Sequence, residues 1–151
     1  MGYHPEEFAE GYEDILYPKW TKEHYKGGRG EYERLEKAFG LAEKIGKTPE
    51  KVRAIQEAAL KSKSTGLFQI MGFNYRLCGF RDVWEGEEAM KRSEGAQLDA
   101  FAAFIESNPK LLDALRKKDW PAVARIYNGP AYAKNQYDVK LAQNYEKYKE
   151  A

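Results

Sequence analysis

Apolar residues recur at helical spacing along most of this chain, and the pattern fails over Gly66-Leu67-Phe68-Gln69-Ile70-Met71-Gly72-Phe73-Asn74-Tyr75. The run is too short for a helix, and it carries an amide where a fully buried strand would carry none. It reads as a short strand or hairpin that shows one face to a cleft. In a strand, alternate residues share a face, so Leu67, Gln69 and Met71 would point one way and Phe68 and Ile70 the other. One amide among hydrophobes suits a ligand contact. The competing reading is a tight turn that packs Phe68 and Ile70 into a core.

Helical patterns flank this stretch. Phe8, Tyr12, Ile15 and Leu16 mark a short helix from Pro5 that ends before Pro18. The glycines at 27, 28 and 30 lack the spacing and the Lys-Ser/Thr of a phosphate-binding loop. From Glu31 to Ile45, Leu35, Ala38, Phe39, Ala42 and Ile45 form one stripe, stopped by Gly46. Thr48-Pro49 starts a second helix with a cap and an N1 proline, and the two are expected to pair antiparallel before the chain enters the central stretch. Beyond a turn ending at Gly79, a single long helix is expected from about Val83 to Ser107, with Met90, Gln97, Leu98, Phe101, Phe104 and Ile105 on its apolar face. Asn108-Pro109 and Asp119 open two further helices, Asn128-Gly129-Pro130 breaks the second, and a last helix starts near Tyr137 with Leu141, Tyr145 and Tyr148 inward. The expected architecture is one mainly α domain over residues 1–151 with a small β-hairpin.

At 151 residues the chain is long enough to hide roughly two-thirds of its unfolded surface without a disulfide or metal. Its 25 basic and 24 acidic residues are interspersed, so the electrostatic footprint of a nucleic-acid binder is missing. Eleven tyrosines and three tryptophans offer flat faces with polar tips, of use in cores and against sugar rings alike. The first residues lack a basic and then apolar leader, and no stretch is long and apolar enough to span a bilayer. Synthesis in the cytoplasm without a signal peptide, no membrane partner and a monomeric state are therefore expected. Any action on a cell wall would then need another delivery route.

His4, His24 and the lone Cys78 cannot build a common zinc site, and no Gly-x-Ser-x-Gly nucleophile motif is present. No metal or cofactor is expected. Glu94 falls between Met90 and Leu98 at spacing four from each, which places a carboxylate on the expected apolar stripe. Burial disfavours the charged carboxylate and suits a general acid. Equally, a structural glutamate there would accept hydrogen bonds from backbone amides or from Tyr127. Carboxylate chemistry beside amide and tyrosine contacts is the material of glycoside hydrolysis.

Ordered blocks then carry a resemblance: the central stretch, Cys78-Gly79, Ser93-Glu94 with Gln97-Leu98, Lys118-Asp119-Trp120, Tyr127-Asn128-Gly129-Pro130 with Tyr132, and Tyr137-Asp138 with Lys140-Leu141-Ala142. Upstream, Asp14-Ile15-Leu16-Tyr17-Pro18-Lys19-Trp20 and Glu31-Tyr32-Glu33-Arg34-Leu35 extend it. The chain resembles the phage and bacterial N-acetylmuramidase family, a lysozyme-like group of endolysins. The resemblance implies a lysozyme-like helical fold and cleavage of the MurNAc-β-1,4-GlcNAc bond of peptidoglycan glycan strands. It assigns Gln69 and the backbone around Ile70 to the acetamido sugars, and Tyr127 and Asn128 to positioning the acid or the substrate.

Two departures accompany it. The family's additional N-terminal part, with a Glu-Ser motif expected to hold the main acid, has no counterpart among these residues, which leaves Glu94 and Glu57 as candidate catalytic carboxylates. Where the family shows Ser-Ala-Ser-Trp-Gly before the hairpin, this chain reads Ser62-Lys63-Ser64-Thr65-Gly66, with Lys61 as a second ammonium group on the approach. A catalytically silent glycan-binding or phage structural module is the alternative expectation, and lytic transglycosylase chemistry a third.

Overall fold

A computed structural model describes residues 27–150. The expected helix from Pro5, and both histidines, lie outside the described residues. The described chain holds seven α-helices and one two-stranded antiparallel sheet: α1 (Arg29–Ile45), α2 (Pro49–Ser62), β1 (Ser64–Thr65), β2 (Ile70–Met71), α3 (Val83–Arg92), α4 (Glu94–Glu106), α5 (Pro109–Lys117), α6 (Trp120–Asn128) and α7 (Tyr137–Tyr148). The fold is mainly α and lysozyme-like, with the one small hairpin that the chemistry of the central stretch predicts. It divides into two compact units, one up to Leu98 and one from Asp99.

In the first unit α1 packs on α2 through Leu41, Ala42 and Ile55, with Ile45 and Val52 against them. The turn between the helices is set by local chemistry. Gly46 closes α1 by donating its N–H to the Ala42 carbonyl, and the Thr48 hydroxyl accepts from the Lys51 N–H at 3.3 Å to start α2. At the far end of α2 the chain turns through Lys63 into the hairpin. Leu60, Ile70, Cys78, Val83 and Ala89 are all buried in this unit.

The long helix expected from Val83 to Ser107 is two helices. Ser93 sits between them in extended conformation (φ −167°, ψ 161°), and its hydroxyl accepts from the Ala96 N–H at 3.1 Å, capping α4. A serine can satisfy a helix N-terminus better than it can serve a helix interior, so a pattern that is continuous in polarity is broken by a side chain–backbone bond.

In the second unit, Leu111, Ala114 and Val123 form the buried centre, with Phe104, Ile105, Leu115, Trp120, Tyr127 and Leu141 packed against it. Both caps read from the sequence are present: Asn108 Oδ1 accepts from the Leu111 N–H at 3.2 Å and Asp119 Oδ1 from the Ala122 N–H at 3.1 Å. Tyr148, expected inward, is exposed. Asp119→Ala should lower the denaturation midpoint by the equivalent of about 1 kcal/mol, the ordinary worth of an N-cap; Asp119→Asn, which keeps the acceptor, should cost a few tenths at most.

Candidate functional site

The hairpin is organised around its turn rather than its strands. Ser64 pairs with Met71 and Thr65 with Ile70, leaving Gly66 to Gln69 as the connection. Gly66 (φ +79°) and Gln69 (φ +52°) both take left-handed backbone conformations, which glycine adopts freely and glutamine does only when its surroundings hold it there. The holding groups are visible. Gln69 donates its backbone N–H (3.2 Å) and its side-chain Nε2 (2.9 Å) to the Gly66 carbonyl, and its Oε1 accepts from the Ser64 hydroxyl at 2.9 Å.

This corrects the strand alternation expected for residues 67 to 71. Gln69 lies on the turn, exposed, with its amide spent on closing it, and the Ile70 side chain is buried in the core, so only backbone is left at Ile70 for the role the resemblance assigns. Leu67, at the tip, is 65% exposed.

Two long-range contacts tie this hairpin to α3 and α4. At its base, the Lys63 ammonium lies 2.7 Å and 2.8 Å from the two carboxylate oxygens of Glu87, a side chain only 7% exposed, and Lys91 approaches the same carboxylate at 3.4 Å. Burial lowers the Lys91 ammonium, but the Glu87 and Glu88 carboxylates outweigh it and raise its pKa above the ordinary lysine value. At the tip, Gln97 Oε1 accepts from the Leu67 N–H at 2.8 Å while its Nε2 donates to the Met90 carbonyl at 2.7 Å. Sequence reading missed Glu87 altogether. Its spacing of four from Lys91 was a readable signal, whereas its main partner lies 24 residues away.

The two candidate carboxylates stand differently from their expected places. Glu94 is exposed on the first turn of α4. Because the helix breaks at Ser93, the stripe on which it was expected does not exist, and the burial argument for a proton-holding acid at this position fails. Glu57 is half-buried on α2; its Oε1 accepts from the Trp84 indole N–H at 3.2 Å and meets Arg53 Nε at 3.2 Å, and its Oε2 lies 3.6 Å from the Lys61 ammonium. Lys61 and Lys63, the two ammonium groups on the approach to the hairpin, are thus each matched by a carboxylate.

Beside this cluster, Arg53 stacks over the Trp84 ring at 5.4 Å, and the two line an open hollow of about 450 Å³ with Lys47, Thr48 and Gln56. In the second unit, Tyr127 packs edge-on against Phe101 (5.5 Å between centroids) and Phe104 (5.9 Å), so its ring belongs to that unit's core. Asn128 follows it, exposed, at the end of α6, where Gly129 turns the chain at φ +85°.

Among the described residues no group of three or more His, Cys, Asp or Glu side chains is placed to hold a metal ion. Cys78 is buried, and desolvation pushes its thiol up to about 11. At pH 8 only about one thiol in a thousand would then be thiolate, so the folded protein should resist iodoacetamide and react once unfolded in guanidinium. The raised pKa stabilises the fold below pH 9, and that contribution is lost as pH rises from 9 towards 11.

The model of the family described as N-acetylmuramidase matches residues 2–149. The chain belongs to the N-acetylmuramidase family. It is also similar to the crystal structure of the Burkholderia AP3 phage endolysin, with a TM-score of 0.74 and 37% identity over 93% of this chain. The chain spans about half of that endolysin, 48% of its length. No curated protein matches.

Proposed function

We propose that this member of the N-acetylmuramidase family acts on peptidoglycan glycan strands, hydrolysing the β-1,4 bond between N-acetylmuramic acid and N-acetylglucosamine. The family match across 2–149 carries the reading, and the 37% identity to a phage endolysin supports it. The exposed hairpin turn is the sugar-facing element, with Leu67 and Gln69 at the surface. Asn128, exposed at the end of α6, is the second unit's proposed glycan contact, and the Tyr127 ring, packed in that unit's core, is its proposed support. Glu94, open to solvent, suits a base that activates water, and Glu57 is the other carboxylate to test. Removing such a group costs about 10²–10⁴ in rate.

The test is digestion of purified peptidoglycan beside an active lysozyme control. New muramic acid reducing ends are expected, and none at all would overturn the hydrolase reading. Anhydro-muramic ends seen by mass spectrometry would assign transglycosylase chemistry instead. One observation favours a second reading, a module that grips glycan without cleaving it: both Glu57 oxygens are engaged, by the Trp84 indole and two cations. Co-sedimentation with peptidoglycan in the absence of turnover would select that alternative.

A further inference from the structure

We infer that Gln97 is a positioning residue for glycan recognition, acting by holding the hairpin tip at a set height above the end of α3. The inference rests on the proposed role of the hairpin as the sugar-facing element. A two-stranded hairpin with two residues in each strand cannot hold its own shape in water. Its internal bonds, those of Gln69 and Ser64, close the turn but do not fix where the turn stands relative to the helices. That position is decided by groups outside the hairpin, and at the tip the bracing group is Gln97. Its carboxamide uses both ends at once, accepting from the Leu67 N–H at 2.8 Å and donating to the Met90 carbonyl at 2.7 Å.

The fit is close as well as polar. A Cβ on Gly66 would lie 3.0 Å from Gln97 Oε1 and 3.1 Å from its Cδ, so the amide lies directly against the turn. The break at Ser93 makes this possible. Ser93 caps α4, and the Gln97 N–H donates to the Ser93 carbonyl at 3.2 Å, which places Gln97 on the first turn after the break, within reach of the end of α3 behind it and the hairpin ahead. Gln97 is half-buried while Leu67 beside it is exposed. The bracing amide is therefore behind the surface a glycan would meet, and acts through the backbone of the turn.

Three variants separate positioning from general stability. Gln97→Met keeps length and removes both hydrogen bonds. Gln97→Glu keeps the acceptor for Leu67 and loses the donor to Met90. Asn108→Ala removes a helix cap in the second unit and serves as a control for stability loss alone. Peptidoglycan affinity is read by co-sedimentation, KM and kcat are read wherever turnover occurs, and hydrogen exchange at Leu67 reports the hairpin tip.

The expected result is at least a fivefold weaker affinity and a matching rise in KM for Gln97→Met with kcat nearly unchanged. Gln97→Glu should fall between Gln97→Met and wild type, Asn108→Ala should match wild type, and exchange at Leu67 should be at least tenfold faster in Gln97→Met. Affinity and KM of Gln97→Met within twofold of wild type would overturn the inference and leave the hydrolase reading standing. Binding without turnover by the wild type would remove the hydrolase reading while the affinity series still decides the role of Gln97. A wild type that neither binds nor cleaves peptidoglycan overturns both.

Discussion

Glu87→Leu is expected to destabilise the first unit by about 3 kcal/mol, the low end of the range for removing one partner of a buried ion pair. Glu87 is 7% exposed and Lys63 22%, so the lysine left behind is neither fully hydrated nor paired. Lys91, 57% exposed, turns to solvent and Glu88 and cannot compensate. The partial exposure of Lys63 is what keeps the figure near the lower limit. Replacing both partners, as in the double variant Lys63→Met with Glu87→Leu, removes the unpaired charge and should recover most of the loss, because a buried pair is worth little against apolar side chains of similar volume. Urea titrations of the four proteins in that cycle measure the coupling. A single-variant loss under about 1 kcal/mol, or a double variant no better than the singles, would show that the pair does not hold the hairpin base.

Gly72→Ala is expected to cost a similar amount by a different route. Gly72 leaves the hairpin with its N–H donating to the Lys63 carbonyl at 2.8 Å, and it passes so close to α2 that a methyl group would collide with the Leu60 carbonyl oxygen, with the carbonyl carbon 2.9 Å away. Both obstacles are backbone, and Leu60 is itself 2% exposed, so no side chain can swing aside. Overpacking of that kind costs about 1–3 kcal/mol, and here the upper figure applies, a fall in melting temperature of roughly 6–12 °C. Gly40 makes the contrasting case. It lies inside α1, and a methyl group added there would meet nothing within 4 Å, so Gly40→Ala should raise stability by about 0.5–1 kcal/mol through helix propensity alone. If both glycine variants move the same way, close approach is not what selects glycine at position 72.

Much of the helical framework was legible because its signals are local. Gly46, Thr48-Pro49, Asn108-Pro109, Asp119 and Asn128-Gly129 each act on backbone groups within four residues, and each marks an element end in the structure. The error at Ser93 has the same origin. Its hydroxyl cap is a local signal too, but the apolar residues on either side continue at helical spacing and mask it, and with that mask went the burial expected of Glu94. The hairpin's existence was readable from the failure of helical periodicity, and a turn that packs Ile70 into the core was one of the two readings, while the left-handed Gln69 was not legible, since strand alternation assumes strands longer than two residues.

By itself the sequence determined the helical class, the caps and breaks, the place of the hairpin and the family to which the ordered blocks belong. Tertiary structure alone decided which carboxylate is buried, that Lys61 and Lys63 are matched by Glu57 and Glu87, and that Gln97 braces the turn at Leu67. The reason is distance along the chain. Caps and periodicity act between neighbours in sequence, whereas Lys63 meets Glu87 across 24 residues and Leu67 meets Gln97 across 30, and contacts of that span exist only once the helices have packed.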